Sequence, residues 1–517
     1  MVVYSTQSKF YMLRTDQLEP TPIPGTAGAY QAFFSPDGSW LGFEQAGKER
    51  KVRLDGSQPV TITDACCADG ATWTSRNQIV LGAEGPFQGL SMVSAAGGNA
   101  IALTHPDSAH GELDHSWPIA APDGRSVFFA IWTGSLATAR LAVASIPEGT
   151  TTRLGVLGIR PLAVLDGYLV YMQADGAVMA VRLNGAMRQT FGQPFPVHDA
   201  VPVIPSLNGN SDVYVSSGGA MVSGRGRGLG RLVWFGPRGR AEEAMPGVRA
   251  YQSPRIAPDG RRIAVIVQDS TTRDVWIYYP AEATFSRFTN LGTVTSVDWS
   301  ADGSRLIYAA NGNVWWQPVA SGLAGGRLFS GGTTVMAVLS PDGRSLLEVS
   351  VSSASFAVFR VPLDSSRIAR PFAADTNSSP TPAFSPDGRW VALQSSESGR
   401  NEVYVRSVAD PSVRLQVSPS GGAQPMWSRD GTRLYYRAGT ALIAARVALA
   451  PTFRLLGRDT VLSTFAAANY FWASDYDVSA DGRRILAVEP RTNDYQLVIS
   501  PNWITEFRRR VAESGGR

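Results

Sequence analysis

The chain has 517 residues, 44% of them hydrophobic, with 13 Trp, two Cys and a formal net charge of +4. A chain of this length buries large cores and fits one or two domains. It contains no long apolar run and does not open on a basic segment followed by an apolar one, so neither a membrane span nor a signal peptide is expected within it. Only three of the 47 basic residues are Lys. An Arg bias of this kind beside abundant Ala and Gly reads as coding composition, and no nucleic-acid partner is expected.

Taken in order, the chain opens on three short apolar segments, Val2 to Tyr4, Lys9 to Arg14 and Thr21 to Gly25. They read as the last three strands of a repeat whose first strand and turn are absent. A tight turn follows at Phe34-Ser-Pro-Asp37-Gly38 and recurs with Asp at 123, 259, 302, 342, 387, 430 and 481. Each copy has apolar residues on both sides, so each joins two strands. Asp accepts hydrogen bonds from the turn's own N–H groups, Pro fixes φ and Gly takes the left-handed position. These eight aspartates are therefore expected to be structural.

Weaker copies fill the gaps. They are Ala71 to Leu81 with Asn77 in the turn, Leu165-Asp166-Gly167, and Val213 to Val222. From Gly260 onward the spacings are 43, 40, 45, 43 and 51 residues, and the earlier gaps of 86 and 136 hold two and three such periods. A period of about 40 to 45 residues with four strands per unit marks a β-propeller. One unit can be read in full, with strands at 382–385, 390–395, 402–407 and 414–417.

Twelve units account for the whole length. The expected fold class is all-β: tandem β-propellers of about twelve four-stranded blades in two six-bladed rings, because six blades let the inner strands nearly meet around a packed core. The expected domains are residues 1–247 with an incomplete first blade, 248–505, and a tail at 506–517. The strand Arg231 to Phe235 is expected to close the first ring. The segment Trp503 to Val511 has the spacing of a short amphipathic helix on the last blade.

The motif search excludes several chemistries. No G-x-S-x-G elbow, H-E-x-x-H helix, Cys/His zinc spacing or kinase signature occurs. The adjacent Cys66 and Cys67 read as small strand or loop residues, since a disulfide between neighbours is strained. The alternating glycines and arginines of Gly224 to Arg231 fall where the repeats require a loop. No catalytic residue, metal or cofactor is expected.

One cluster stands out: His105, Asp107, His110, Glu112, Asp114 and His115 lie within eleven residues. Imidazole and carboxylate are competent ligands and proton carriers. The alternative is an inter-blade connection whose polar groups cap strand ends. Loops converge at the mouth of a propeller, so His110, Glu112, His115 and Trp117 are candidate ligand-binding residues.

Ala383 to Arg406, followed by Gly421 to Arg437, resembles TolB-like propeller repeats. Together with Leu18 to Thr26, Phe33 to Gly38, Gly111 to Pro118, Arg231 to Trp234 and Ser500 to Trp503, the chain is similar to the propeller region C-terminal to bacterial transmembrane serine/threonine protein kinases. The resemblance runs nearly end to end and implies a sensor or interaction module outside the membrane. The departure is plain: neither kinase domain nor membrane helix is present, so kinase activity does not carry over. The expected function is a non-catalytic scaffold, monomeric, binding an unknown protein or small molecule, periplasmic or extracytoplasmic if an upstream anchor exists. A periplasmic TolB-like assembly protein and a propeller lyase or glycosidase are the alternatives.

Overall fold

The structure is a computed structural model that describes residues 1–515 except 7–8, 15–16, 18, 65–68, 83–88, 134–135, 202, 205–209, 226–228, 237–238, 270–271, 321–322, 352–355, 377–379, 399, 466–473 and 492–495. Cys66 and Cys67, and the middle of the Gly224–Arg231 loop, lie outside the described residues. The described chain is a succession of antiparallel strands, with short 3-10 turns at Ser108–His110 and Leu136–Thr138 and one α-helix, Trp503–Glu513. No described helix is long and apolar enough to cross a membrane.

Each blade starts from the repeated turn. In the unit read from sequence the strands are Ala383–Phe384, Trp390–Ser395, Glu402–Ser407 and Arg414–Gln416, paired in that order. Burial follows position in the blade. The second strands are almost wholly buried, as at Trp390–Ser395, while the outermost Arg414–Gln416 is exposed. Each buried Val, Leu or Ile between blades contributes about 1.5 to 3 kcal/mol. The rings are thus held by faces packed against neighbouring blades.

Two compact units result: Met1–Gly224 with Leu497–Arg517, and Arg225–Gln496. The second unit has six four-stranded sheets. Its inner strands Ala250–Ile256, Val294–Trp299, Thr334–Leu339, Ala383–Phe384, Ala423–Trp427 and Tyr476–Val478 touch in turn, and the last returns to the first. The closing sheet combines both ends of the unit: Tyr476–Val478 and Ile485–Pro490 supply the inner strands, and Gly230–Phe235 and Ala241–Glu243 the outer ones. Leu232, Tyr251, Val265, Leu486 and Val488 share one buried cluster across this junction.

The first unit has four complete sheets, beginning at Ala29–Phe34, Ala71–Trp73, Asp114–Ala120 and Arg160–Leu165. Ahead of them stands a three-stranded sheet of Val2–Thr6, Lys9–Leu13 and Thr21–Pro22. After them comes a second three-stranded sheet, in which Val213–Val215 and Met221–Arg225 are joined by Gln496–Ser500 from the far end of the chain. A short pairing of Val203–Ile204 with Asn210–Ser211 completes the inventory.

Among the described residues there are ten four-stranded sheets, two of three strands and one of two, in keeping with the expected all-β fold of tandem blades. Two expectations need correction. The strand at 231–235 closes the second ring, not the first, and the units divide at 224/225 instead of 247/248. The tail expected from residue 506 is helix as far as Glu513: Trp503–Glu513 buries Trp503 and Phe507 in the first unit beside Tyr168, Val213 and Met221. The reason is edge pairing. A ring sealed by strands from both ends of its segment leaves no exposed inner edge, and such pairings are invisible to a count of repeats.

Candidate functional site

The polar cluster lies in the connection between Ile101–Ala102, the outermost strand of one blade, and Asp114–Ala120, the innermost of the next. Asp107 O accepts the N–H groups of His110 at 3.0 Å and Glu112 at 3.1 Å, and Gly111 closes the turn at φ 77°. That winding brings Glu112 back over His115.

His115 is fully buried. Its Nδ1 lies 2.8 Å from Thr104 Oγ1 and its Nε2 3.2 Å from Glu112 Oε2, and its ring sits 4.7 Å from that of Phe129. Glu112 Oε2 also accepts the Asp107 N–H at 2.8 Å, while Oε1 accepts Arg153 Nε at 2.8 Å. Arg153 reaches Asp107 Oδ2 at 3.4 Å, and His110 Nδ1 stands 2.6 Å from the same oxygen. His110, Glu112 and His115 are thus joined in one network through Asp107 and Arg153. The floor is closed and the rim is open: the side chains of His115 and Glu112 are 1% and 7% exposed, those of Arg153 and Asp107 43%, and that of His110 67%.

Burial pushes the His115 imidazole below its ordinary value, against the pull of Glu112. For Glu112 burial acts upward, yet the Asp107 N–H, Arg153 and His115 together bring its carboxyl down. The His110 hydrogen bond lowers Asp107. The floor therefore holds a neutral imidazole beside an ionised carboxylate.

Other blades show what this station does. Val275 N donates to Thr289 Oγ1 at 3.0 Å, and the preceding Asp274 binds that hydroxyl, Arg287 and the N–H of Leu291. Val403 N donates to Ser418 Oγ at 2.7 Å, and the preceding Glu402 binds Ser418, Arg400 and Gly421 N. In the His-rich blade Leu90 N donates to Thr104 Oγ1 at 2.9 Å, but the preceding residue is Gly89. A Cβ there would meet Thr104 O at 2.3 Å. His115, backed by Glu112 and Arg153, takes the place of the missing acid on the threonine hydroxyl.

Trp117 faces other partners. It is buried, with φ 55°, and its N–H donates to Asp69 O at 2.6 Å. Arg160 lies 4.4 Å over its ring and 4.7 Å from that of Tyr214, while donating to Ser211 O at 3.0 Å. A positive φ at a bulky side chain is strained. Gln31, Ser253, Thr381 and Gln424 share it, each six positions before a turn aspartate and, except at Thr381, beside a register shift.

Sequence reasoning missed Arg153, Arg160 and a buried carboxyl pair, Asp69 and Asp114. Asp114 Oδ1 accepts the His115 N–H at 2.6 Å, and burial together with the Asp69 carboxyl holds its pKa up to about 8. Burial beside a second carboxyl favours the protonated form of Asp114. Among the described residues no group of three or more His, Cys, Asp or Glu is arranged to hold a metal ion.

Each turn aspartate accepts a backbone N–H two residues on: Asp37 from Ser39, Asp123 from Arg125, Asp259 from Arg261, Asp302 from Ser304, Asp342 from Arg344, Asp387 from Arg389, Asp430 from Thr432 and Asp481 from Arg483.

No family model matches the chain, and no curated protein matches it. Similar solved structures include a protein assigned as TolB from Agrobacterium tumefaciens, 15% identical, with a TM-score of 0.38, over 50% of this chain and 98% of that one. TolB from Acinetobacter baumannii is 13% identical, with a TM-score of 0.30, over 78% of this chain and 66% of that one. A chain of a nidogen/laminin complex is 11% identical, with a TM-score of 0.34, over 45% of this chain and 93% of that one.

Proposed function

We propose that the chain is a non-catalytic β-propeller scaffold that binds a protein or small molecule at its inter-blade connections, with residues 105–117 as one contact surface. The observation that supports this is the open rim of Asp107, His110 and Arg153 held on a closed floor of Glu112 and His115. A rim of donors and acceptors fixed from beneath loses little conformational freedom on binding. In the finer reading the chain is the sensor or interaction region of a bacterial serine/threonine kinase-type receptor, acting outside the membrane as a monomer. The motifs at 18–26, 231–234 and 500–503 support that reading.

The binding test starts from a random peptide library displayed on phage and selected on the full chain. Selected peptides should bind His110→Ala about tenfold more weakly, with the melting temperature unchanged. Binders indifferent to His110→Ala and to Asp107→Asn would remove this surface from the proposal. The receptor reading is tested by the genomic sequence upstream of Met1, which should encode a kinase domain and an apolar helix in frame.

A further inference from the structure

Two described arginines are buried, and they differ in company. Arg160 donates to Ser211 O and lies over the rings of Trp117 and Tyr214. Arg273, 6% exposed, has no acceptor, carboxylate or ring on its guanidinium among the described residues, and its Nε is enclosed without a partner. A guanidinium carries five N–H donors and keeps its charge, so enclosing one with nothing to accept those donors is strongly unfavourable.

Register shows what stands beside it. Arg273 opens the third strand of its blade, Arg273–Tyr279, paired with Gln268 on one side and with Thr293, at the entry to the next blade, on the other. Residues directly opposite across a ladder turn their side chains to the same face. Two residues along each strand, on that face, Ile266 and Val275 are fully buried in the apolar cluster between this blade and the next. The row Gln268, Arg273, Thr293 is therefore the polar end of an apolar contact. Gln268 Oε1 accepts Gln252 Nε2 at 3.0 Å, whereas Thr293 Oγ1 is enclosed without a partner. An unpaired cation and an unpaired hydroxyl stand side by side.

We propose that Arg273 and Thr293 form a binding site for the carboxylate group of a small organic acid. The planar fork of a guanidinium matches two carboxylate oxygens, and the threonine hydroxyl supplies a further donor. Burial alone acts on Arg273, holding its pKa down to about 10, with no charged neighbour beside it. A singly charged ligand balances that one cation, where a phosphate dianion would leave an enclosed excess charge. Lys48 provides the contrast. It opens the third strand of the first complete blade ahead of Glu49, as Arg273 does ahead of Asp274. Glu49 faces Thr63, and Lys48 pairs with Asp64 directly after it. Asp274 binds Thr289, but the residue that follows is Asn290, which has no charge to offer.

The test follows thermal unfolding of the full chain in chloride-free buffer, with ionic strength held by sodium fluoride while sodium formate or sodium chloride replaces it. Formate should raise the melting temperature saturably, by about 3 °C at tenfold excess over half-saturation, and chloride should not. Arg273→Met removes the charge and keeps an apolar stem, and should abolish the formate effect. Thr293→Val keeps the charge and should raise the half-saturating formate concentration about tenfold, which decides the matter if Arg273→Met does not fold. An equal rise with chloride overturns the carboxylate assignment. The site itself is overturned by a formate effect that survives Arg273→Met, by a half-saturation indifferent to Thr293→Val, or by no saturable rise, which would leave water as the partner of the guanidinium. Arg273 belongs to the second unit and residues 105–117 to the first, so failure here leaves the surface at 105–117 untouched.

Discussion

Ser385 Oγ donates to Asp387 Oδ1 at 2.6 Å, while the same hydroxyl oxygen accepts the Trp390 N–H at 3.0 Å. Asp387 Oδ1 also accepts the Arg389 N–H at 3.1 Å. The serine hydroxyl thus ties the aspartate to the start of the second strand. The Ser–Asp contact recurs at 2.6 Å in Ser35–Asp37, Ser300–Asp302, Ser340–Asp342, Ser428–Asp430 and Ser479–Asp481. Two turns lack it, since Ala121 and Ala257 stand in the serine position.

Removing either partner should weaken the blade locally. Ser385→Ala and Asp387→Ala are each expected to cost about 1 kcal/mol, and the double variant less than the sum, because both remove the same contact. Urea unfolding of the four forms measures this. Strict additivity would mean that the two side chains act independently.

Acid should release these turns. Hydrogen bonds from Ser300, first, and then from the Ser304 N–H hold the Asp302 carboxyl down to about 2, and Ser35 with Ser39 does the same for Asp37. A carboxyl lowered in the folded state contributes stability that is full above about pH 4 and is lost as pH falls toward 2. Ser300→Ala should move the acid-unfolding midpoint upward, as read by circular dichroism along a pH titration.

The Asp69–Asp114 pair acts with the opposite sign. Asp114 titrates at about 8 when folded and near 3.8 when unfolded, so the folded protein binds the extra proton between these values. Its contribution is therefore most favourable below about pH 4 and declines until pH 8. Asp114→Asn keeps an acceptor for the His115 N–H and carries an amide N–H that faces Asp69 uncharged at every pH. It should flatten the pH dependence of the urea midpoint across this window and raise the midpoint at pH 8.

Glu112 should matter more for stability than its place in a connection suggests. Glu112→Ala removes the partners of Arg153, His115 and the Asp107 N–H, at a cost on the order of 2 kcal/mol. Because burial holds His115 neutral, its contribution is full above about pH 6.5 and falls as the solution is acidified below that. Denaturation of the wild type and Glu112→Ala at several pH values separates the two effects.

Truncation after residue 496 should unfold the first unit while sparing the second. The deletion removes most of the third strand beside Met221–Arg225 together with buried Trp503 and Phe507. Phe507→Ala alone should cost about 3 to 5 kcal/mol. Limited proteolysis should then give a protected fragment beginning near Arg225. Uniform loss of protection along the chain would contradict the division.

Sequence by itself determined what is local. Ser-Pro-Asp-Gly makes the same turn wherever it stands, because its hydrogen bonds close within five residues, so the repeat count and the limits of blades such as 383–416 could be read before any coordinates. The strand 230–235 was equally legible, but its partner 485–490 lies some 250 residues away and leaves no mark on its own pattern. The tertiary structure alone decided which strands seal which ring, and why the helix 503–513 belongs to the first unit. It also decided the fate of the histidines. Their spacing suggested a site, yet His115 turns inward onto the Thr104 hydroxyl, at the station that Asp274 and Glu402 fill in other blades and where Gly89 has no side chain. An unsatisfied buried polar group is a property of three-dimensional packing, not of neighbouring residues in the chain.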